Sequence, residues 1–132
     1  MTSAVGDPYS PQTRRYFENP AHAGDLAGDY TTSAVAQASE SDGGACVQLA
    51  IGLRDGKLAE CRFRIFGCPH LIAAAEWLCS ESEGRTFSAL SRFQAGECMK
   101  ILGIPVDKTG RVLLLEDTIR LLTDKLARAA AH

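Results

Sequence analysis

Two runs of period-two residues, set back to back around Asp55-Gly56, restrict the fold more than any other feature of the chain. Val47, Leu49, Ile51 and Leu53 alternate with Gln48, Ala50 and Gly52, which is the pattern of a half-buried strand. Asp55-Gly56 is a tight-hairpin pair. Beyond it, Ala59, Cys61, Phe63 and Ile65 are expected to point inward while Glu60, Arg62 and Arg64 face water. Gly67 and Cys68 then lead straight into Pro69 and an apolar stretch, residues 71–75 with Trp77 and Leu78. A helix that is apolar on nearly every side has to lie centrally, across the sheet that precedes it.

The flanking segments fit around this unit. Ser10-Pro11 is a helix start, with a side-chain oxygen at the cap and proline in the first turn. The helix is expected over residues 11–18 and stops at Asn19-Pro20. Residues 21–29 are small and polar and read as a surface connection. Residues 30–39 alternate loosely and give a first strand, and residues 40–44 form a turn cluster. Helices are expected over 69–81, over 91–102 (ended by Gly103 and Pro105), and over 112–130. The last carries Leu115, Ile119, Leu122 and Leu126 on one stripe. The expected class is α+β: a small three-stranded antiparallel sheet packed against several helices on one face, in a single domain over residues 1–132.

A chain of 132 residues supports one hydrophobic core. A net charge of −2 leaves no electrostatic footprint for nucleic acid, and no Lys/Arg run suits an anionic membrane. The uncharged runs 43–53 and 65–75 are too short to span a bilayer. Residues 1–11 lack the basic-then-apolar order of an export signal. These readings predict a cytoplasmic protein with neither nucleic acid nor membrane as partner. No Ser/His/Asp set and no Gly-rich phosphate loop is present, so the chain does not read as an ordinary enzyme.

The five cysteines are odd in number and contain no C-x-x-C pair, against a disulfide framework or a zinc ribbon. Cys68 is the leading candidate for chemistry. A cysteine just ahead of a helix meets free N–H groups and the positive end of the helix dipole, which favour the thiolate that binds metal or accepts sulfur. His70 is its one local partner by spacing; it reads first as a helix-start residue and second as a zinc or iron ligand. Cys46 follows Gly43-Gly44-Ala45 and is a second candidate sulfur acceptor, although its strand parity is opposite to that of the buried set. Glu40 and Asp42 are oxygen ligands in principle and turn residues by default. Arg111 reads as a solvated helix-start residue or as a partner of Cys68. Cys61 and Cys98 read as core, and Cys79 sits roughly 16 Å along the helix from Cys68, too far to share a metal.

Three segments carry a resemblance. Tyr9-Ser10, Phe17-Glu18-Asn19-Pro20 and Gly24 resemble the Y-S…Y-E-N-P…G opening of iron–sulfur cluster assembly scaffolds of the IscU/NifU amino-terminal type. Residues 56–68 are similar to that family's G-x-I-x-D-x-x-F-x-x-x-G-C segment, and residues 114–119 to its L-A-E-D/E-A-I helix. The resemblance implies a scaffold on which a [2Fe–2S] cluster forms from iron and from sulfur delivered by a cysteine desulfurase. It also implies a site of three cysteines, an aspartate and a histidine.

Matched position by position, Cys68 keeps its cysteine. The other cysteine positions fall at Gly43 and Arg111, the aspartate at Ala45 and the histidine at Gly110. Residues 102–108 match the family's L-P-P-V-K chaperone segment in part. The resemblance therefore leads to three expectations. The first is a scaffold-like protein holding iron, zinc or a [2Fe–2S] cluster around Cys68 with Cys46, His70 and Asp42. The second is a persulfide acceptor like the similarly folded SufE proteins. The third is an interaction module without a cofactor. In each, the partners are the desulfurase or other assembly proteins.

Overall fold

The computed structural model describes residues 9–130; the reading of residues 1–8 as free of an export signal lies outside them. Helix α1, Pro11–Glu18, starts where expected: the Ser10 hydroxyl accepts the Thr13 N–H at 3.0 Å, with proline in the first turn. Three antiparallel strands follow in the order β1 (Thr32–Ser39), β2 (Cys46–Arg54) and β3 (Lys57–Phe66). Asp55 (φ 55°) and Gly56 (φ 76°) make the left-handed turn between β2 and β3, the backbone that a two-residue hairpin requires.

One side of the sheet carries the core. Ala36, Val47, Leu49, Ile51, Cys61 and Phe63 are buried there in one cluster with side chains of two helices, α2 (Pro69–Ser82) and α5 (Thr109–Ala130). Helix α2 contributes Leu71, Ala74, Ala75 and Leu78; α5 contributes Val112, Leu115, Ile119 and Leu122. Each buried Val, Leu, Ile or Phe among them is worth about 1.5–3 kcal/mol over leaving it in water. Helix α1 packs on α2. Its Thr13 hydroxyl donates to the Leu102 carbonyl at 3.0 Å, fastening it to the end of α4 (Ala95–Leu102).

Three sequence expectations are corrected. The single helix over 91–102 is two, α3 (Phe87–Ser91) and α4, separated at residues 92–94. Glu116 on α5 accepts the Ala95 N–H at 2.7 Å and so caps α4 from across space. The last helix begins at Thr109, after a 3-10 turn at Val106–Lys108, and not at 112.

The third correction concerns β3. Its pairing with β2 steps from Gly52↔Glu60 to Leu53↔Leu58, leaving Ala59 as the extra residue of a bulge. Leu58 is buried in place of Ala59, which is exposed. Glu60 is only 4% exposed instead of solvated, because the connection before β1 closes over it. Its carboxylate accepts the N–H groups of Ala27 (2.8 Å) and Gly28 (3.1 Å) and the Tyr30 hydroxyl (2.7 Å). Burial opposes the charged form, and these bonds with the Arg62 charge outweigh it, holding the Glu60 carboxyl below its usual range. No described helix is long and apolar enough to cross a membrane.

Candidate functional site

Cys68 occupies the cap of α2 with extended backbone (φ −91°, ψ 162°). Its carbonyl accepts the N–H groups of Leu71 (3.0 Å) and Ile72 (3.2 Å), while its side chain makes no capping bond. The thiol takes no part in capping the helix. It lines an open pocket of about 400 Å³ with Gly44, Ile65, Phe66, Gly67 and Arg111. The sheet edge, the tip between β1 and β2, and the start of α5 thus meet at this corner. Gly67 permits the approach: a Cβ there would stand 3.2 Å from Leu71 Cδ2 and 3.6 Å from Ala45 Cβ. Phe66 is 70% exposed at the rim.

Arg111 is the partner of Cys68. It lines the same pocket, and the neighbouring Cys68, then Glu40 and Asp42, push the guanidinium pKa above its ordinary value against desolvation. The Arg111 Nε lies 3.9 Å from Glu40 Oε1. The tip is shaped to present these carboxylates. Gly44 N–H donates to Asp42 Oδ1 at 3.0 Å, Gly43 N–H donates to the Glu40 carbonyl at 2.9 Å, and Gly43 takes a left-handed φ of 79°. A Cβ on Gly44 would stand 2.6 Å from Glu40 Oε1.

The other candidates lie elsewhere. Cys46 is half-buried in β2 opposite Phe66 and Ser39 and does not line the pocket. His70 is 4% exposed, with its ring 4.8 Å from that of Tyr9. Among the described residues, no three of His, Cys, Asp or Glu gather to hold a metal ion. Cys61 and Cys79 are fully buried with their sulfurs 3.1 Å apart. The bond from Cys61, then burial, pushes the Cys79 thiol well up; burial, then the Glu97 charge, pushes Cys98 up to about 12. Thiols in that condition are inert as nucleophiles.

The donor chemistry at Cys68 does not fit a resident [2Fe–2S] cluster on this chain alone. Iron in such clusters takes four thiolates or a near equivalent. The pocket lining offers one sulfur, and its other polar side chain is a guanidinium, which has donors only and no lone pair for a metal.

Sequence reasoning left the pairing of Arg111 with Cys68 as one of two readings and missed a second polar cluster, formed by His22 with Glu76 of α2 and Glu83 at the end of α2. Glu76 is the clue, a carboxylate in the middle of an otherwise apolar helix.

Known proteins resemble this chain in sequence and in fold. The chain is 29% identical over 124 residues to the bifunctional protein NifU/MnmA of Rubrobacter xylanophilus, covering 91% of this chain. It spans only 25% of that relative's length. It is 25% identical over 114 residues to the mitochondrial iron sulfur cluster assembly protein 1 of Eremothecium gossypii, covering 85% of this chain and 74% of the relative. The crystal structure of a NifU-like protein (N-terminal) from Brucella abortus shares the fold. The two superpose with a TM-score of 0.73 at 18% identity, over 96% of this chain and 99% of that one. The family model for the NifU-like N terminal domain matches residues 8–127. With nearly its full length inside that match, the chain belongs to the NifU-like N-terminal domain family.

Proposed function

We propose that this chain serves iron–sulfur cluster assembly as a sulfur acceptor, taking a persulfide on Cys68 from a cysteine desulfurase. The observation that carries the reading is the pairing of Cys68 with Arg111 in an open pocket, at a position where family spacing has a third cysteine. One accessible thiol beside a fixed cation suffices for sulfur transfer, whereas a cluster needs a ligand set.

The step balances without an added oxidant or reductant. The Cys68 thiolate attacks the outer sulfur of the donor's persulfide and forms a new S–S bond. The donor's own S–S bond breaks, its cysteine leaves as a thiolate, and the outer sulfur keeps its hydrogen. Loss of that hydrogen to water leaves a persulfide anion, which Arg111 is placed to hold by charge-assisted hydrogen bonds. The carboxylates of Glu40 and Asp42 keep the guanidinium over the pocket. Phe66, exposed at the rim, gives a protein donor an apolar contact beside the sulfur. The chain acts here as a carrier and not as an enzyme, with residues 1–132 working as one unit.

Incubation with a cysteine desulfurase and cysteine, followed by peptide mass spectrometry, tests this. One sulfur atom added to the Cys68 peptide, and none in Cys68→Ser, is the expected result. Sulfur on Cys46 alone, or on neither residue, overturns it. Anaerobic reconstitution with iron and sulfide checks the scaffold alternative: stoichiometric iron held through Cys68 would favour a cluster site over sulfur acceptance.

A further inference from the structure

The segment between α1 and β1 is clasped to the body of the protein at a cluster that the sulfur chemistry does not use. His22 Nδ1 lies 2.6 Å from Glu76 Oε2, and its Nε2 lies 2.9 Å from Glu83 Oε1. Its backbone N–H donates to Glu76 Oε1 at 2.9 Å. The imidazole is 14% exposed and the Glu76 side chain 7%. Next to the ring, the chain adds itself to the open edge of β3. The Phe63 N–H donates to the His22 carbonyl at 3.0 Å, the Gly24 N–H donates to the Phe63 carbonyl at 2.8 Å, and Ala23 forms a parallel bridge with Phe63.

The hydrogen count of the ring decides what this clasp requires. A neutral imidazole has one N–H and one lone pair. Both nitrogens here face carboxylate oxygens, which as ions only accept. The neutral ring would press a lone pair against one carboxylate, whereas the imidazolium donates to both.

We propose that His22 is a pH-operated latch, holding residues 22–24 on β3 and α2 while both ring nitrogens carry hydrogen and releasing them when one is lost. Glu76 also accepts from Ser80 Oγ, and Glu83 accepts from the Cys61 N–H and from Arg62, which in turn pairs with Glu60. The nearby Cys79 thiol is pushed well up, and the Tyr30 phenol, hydrogen-bonded to Glu60, is raised above its usual value of 10. The exposed Arg64–Asp25 pair, at 2.7 and 2.8 Å, holds the next residue and keeps its charge through neutral pH.

Burial alone would lower the His22 pKa; the hydrogen bonds and charges of Glu76 and Glu83 outweigh it, and the net shift is upward from 6.5. A raised pKa in the closed state means that the latch's contribution is complete below 6.5 and is lost as pH rises through the closed-state value. Release would uncover the open edge of β3 at Phe63.

NMR titration of the full chain, with amide exchange of Gly24 and Phe63, tests the latch. The His22 ring should titrate above 6.5. The protection of the two amides, corrected for intrinsic exchange, should fall about tenfold per pH unit between the open-state and closed-state pKa values. In His22→Gln, protection should be low and flat over the same range. A His22 midpoint at or below 6.5, or protection in the wild-type chain that does not change across its midpoint, overturns the proposal. The wild-type titration decides even if the variant folds poorly.

Discussion

Arg111 separates this site from a bare thiol at a helix start. Its guanidinium shares the pocket lining with Cys68 and is backed by Glu40 and Asp42, so it supplies a cation that stays in place as sulfur arrives. Arg111→Ala is expected to slow sulfur uptake on Cys68 about tenfold or more, the scale of one lost hydrogen bond between charged groups. Arg111→Lys is expected to recover part of the rate, because lysine keeps the charge and not the fork. Mass spectrometry of the Cys68 peptide at timed intervals reads both; equal rates in all three proteins would remove Arg111 from the chemistry. Cys68 itself was legible, because Gly67-Cys68-Pro69 places the thiol by local geometry alone. Its partner was not, because Arg111 arrives from a distant helix whose docking no short motif records. Cys46 is paired with Phe66 in the strand register and is not among the residues lining the pocket. Gly52 is a second residue whose meaning appears only in three dimensions. A Cβ there would stand 2.3 Å from the Tyr30 ring, so Gly52→Ala must displace the ring and its hydroxyl bond to Glu60. Thermal or denaturant unfolding should show a loss of about 1–3 kcal/mol; an unchanged midpoint would mean that the ring moves freely.

Among the elements, periodicity found every strand and failed where a helix depends on a contact from elsewhere. The hairpin, the strand-to-helix corner and the capped first helix are each written in a few adjacent residues. The break between α3 and α4 is not. Gln94, at the cap position of α4, makes no side-chain capping bond, and the Ala95 N–H is satisfied instead by Glu116 of α5. That bond both starts α4 and fastens it to α5. Glu116→Ala is expected to destabilise the chain by about 1 kcal/mol, as for loss of an ordinary helix cap, with α4 amides losing protection first in hydrogen exchange. Uniform loss across the fold would argue against a local capping role. The bulge at Ala59 was hidden for a related reason. An extra residue in one strand is decided by its partner's register, and the alternation of Ala59, Cys61 and Phe63 looked regular without it. Beside that bulge the connection before β1 closes over Glu60, turning an expected surface glutamate into a buried hub.

For the whole molecule, the five cysteines divide by where the fold leaves them, and the division bears directly on sulfur chemistry. Cys61, Cys79 and Cys98 have no exposed surface; Cys46 and Cys68 are half-buried at the margin of the sheet. A reagent, or a donor protein's persulfide, reaches the first three only when the core opens. For a domain of ordinary stability the opened state is rare, on the order of one molecule in thousands or fewer. Native labelling with a maleimide should therefore modify two thiols per chain quickly, with the other three reacting roughly 10³-fold more slowly and in step with one another. A graded denaturant series makes the distinction firm. The slow class should merge with the fast one at the unfolding midpoint seen by circular dichroism, because all three thiols lie in one packed cluster spanning β3, α2 and α4. A third thiol reacting quickly under native conditions would mean that the helices part from the sheet without global unfolding. In that case sulfur placed on Cys68 could pass to a buried neighbour, and the acceptor could not be assigned to a single residue by mass alone.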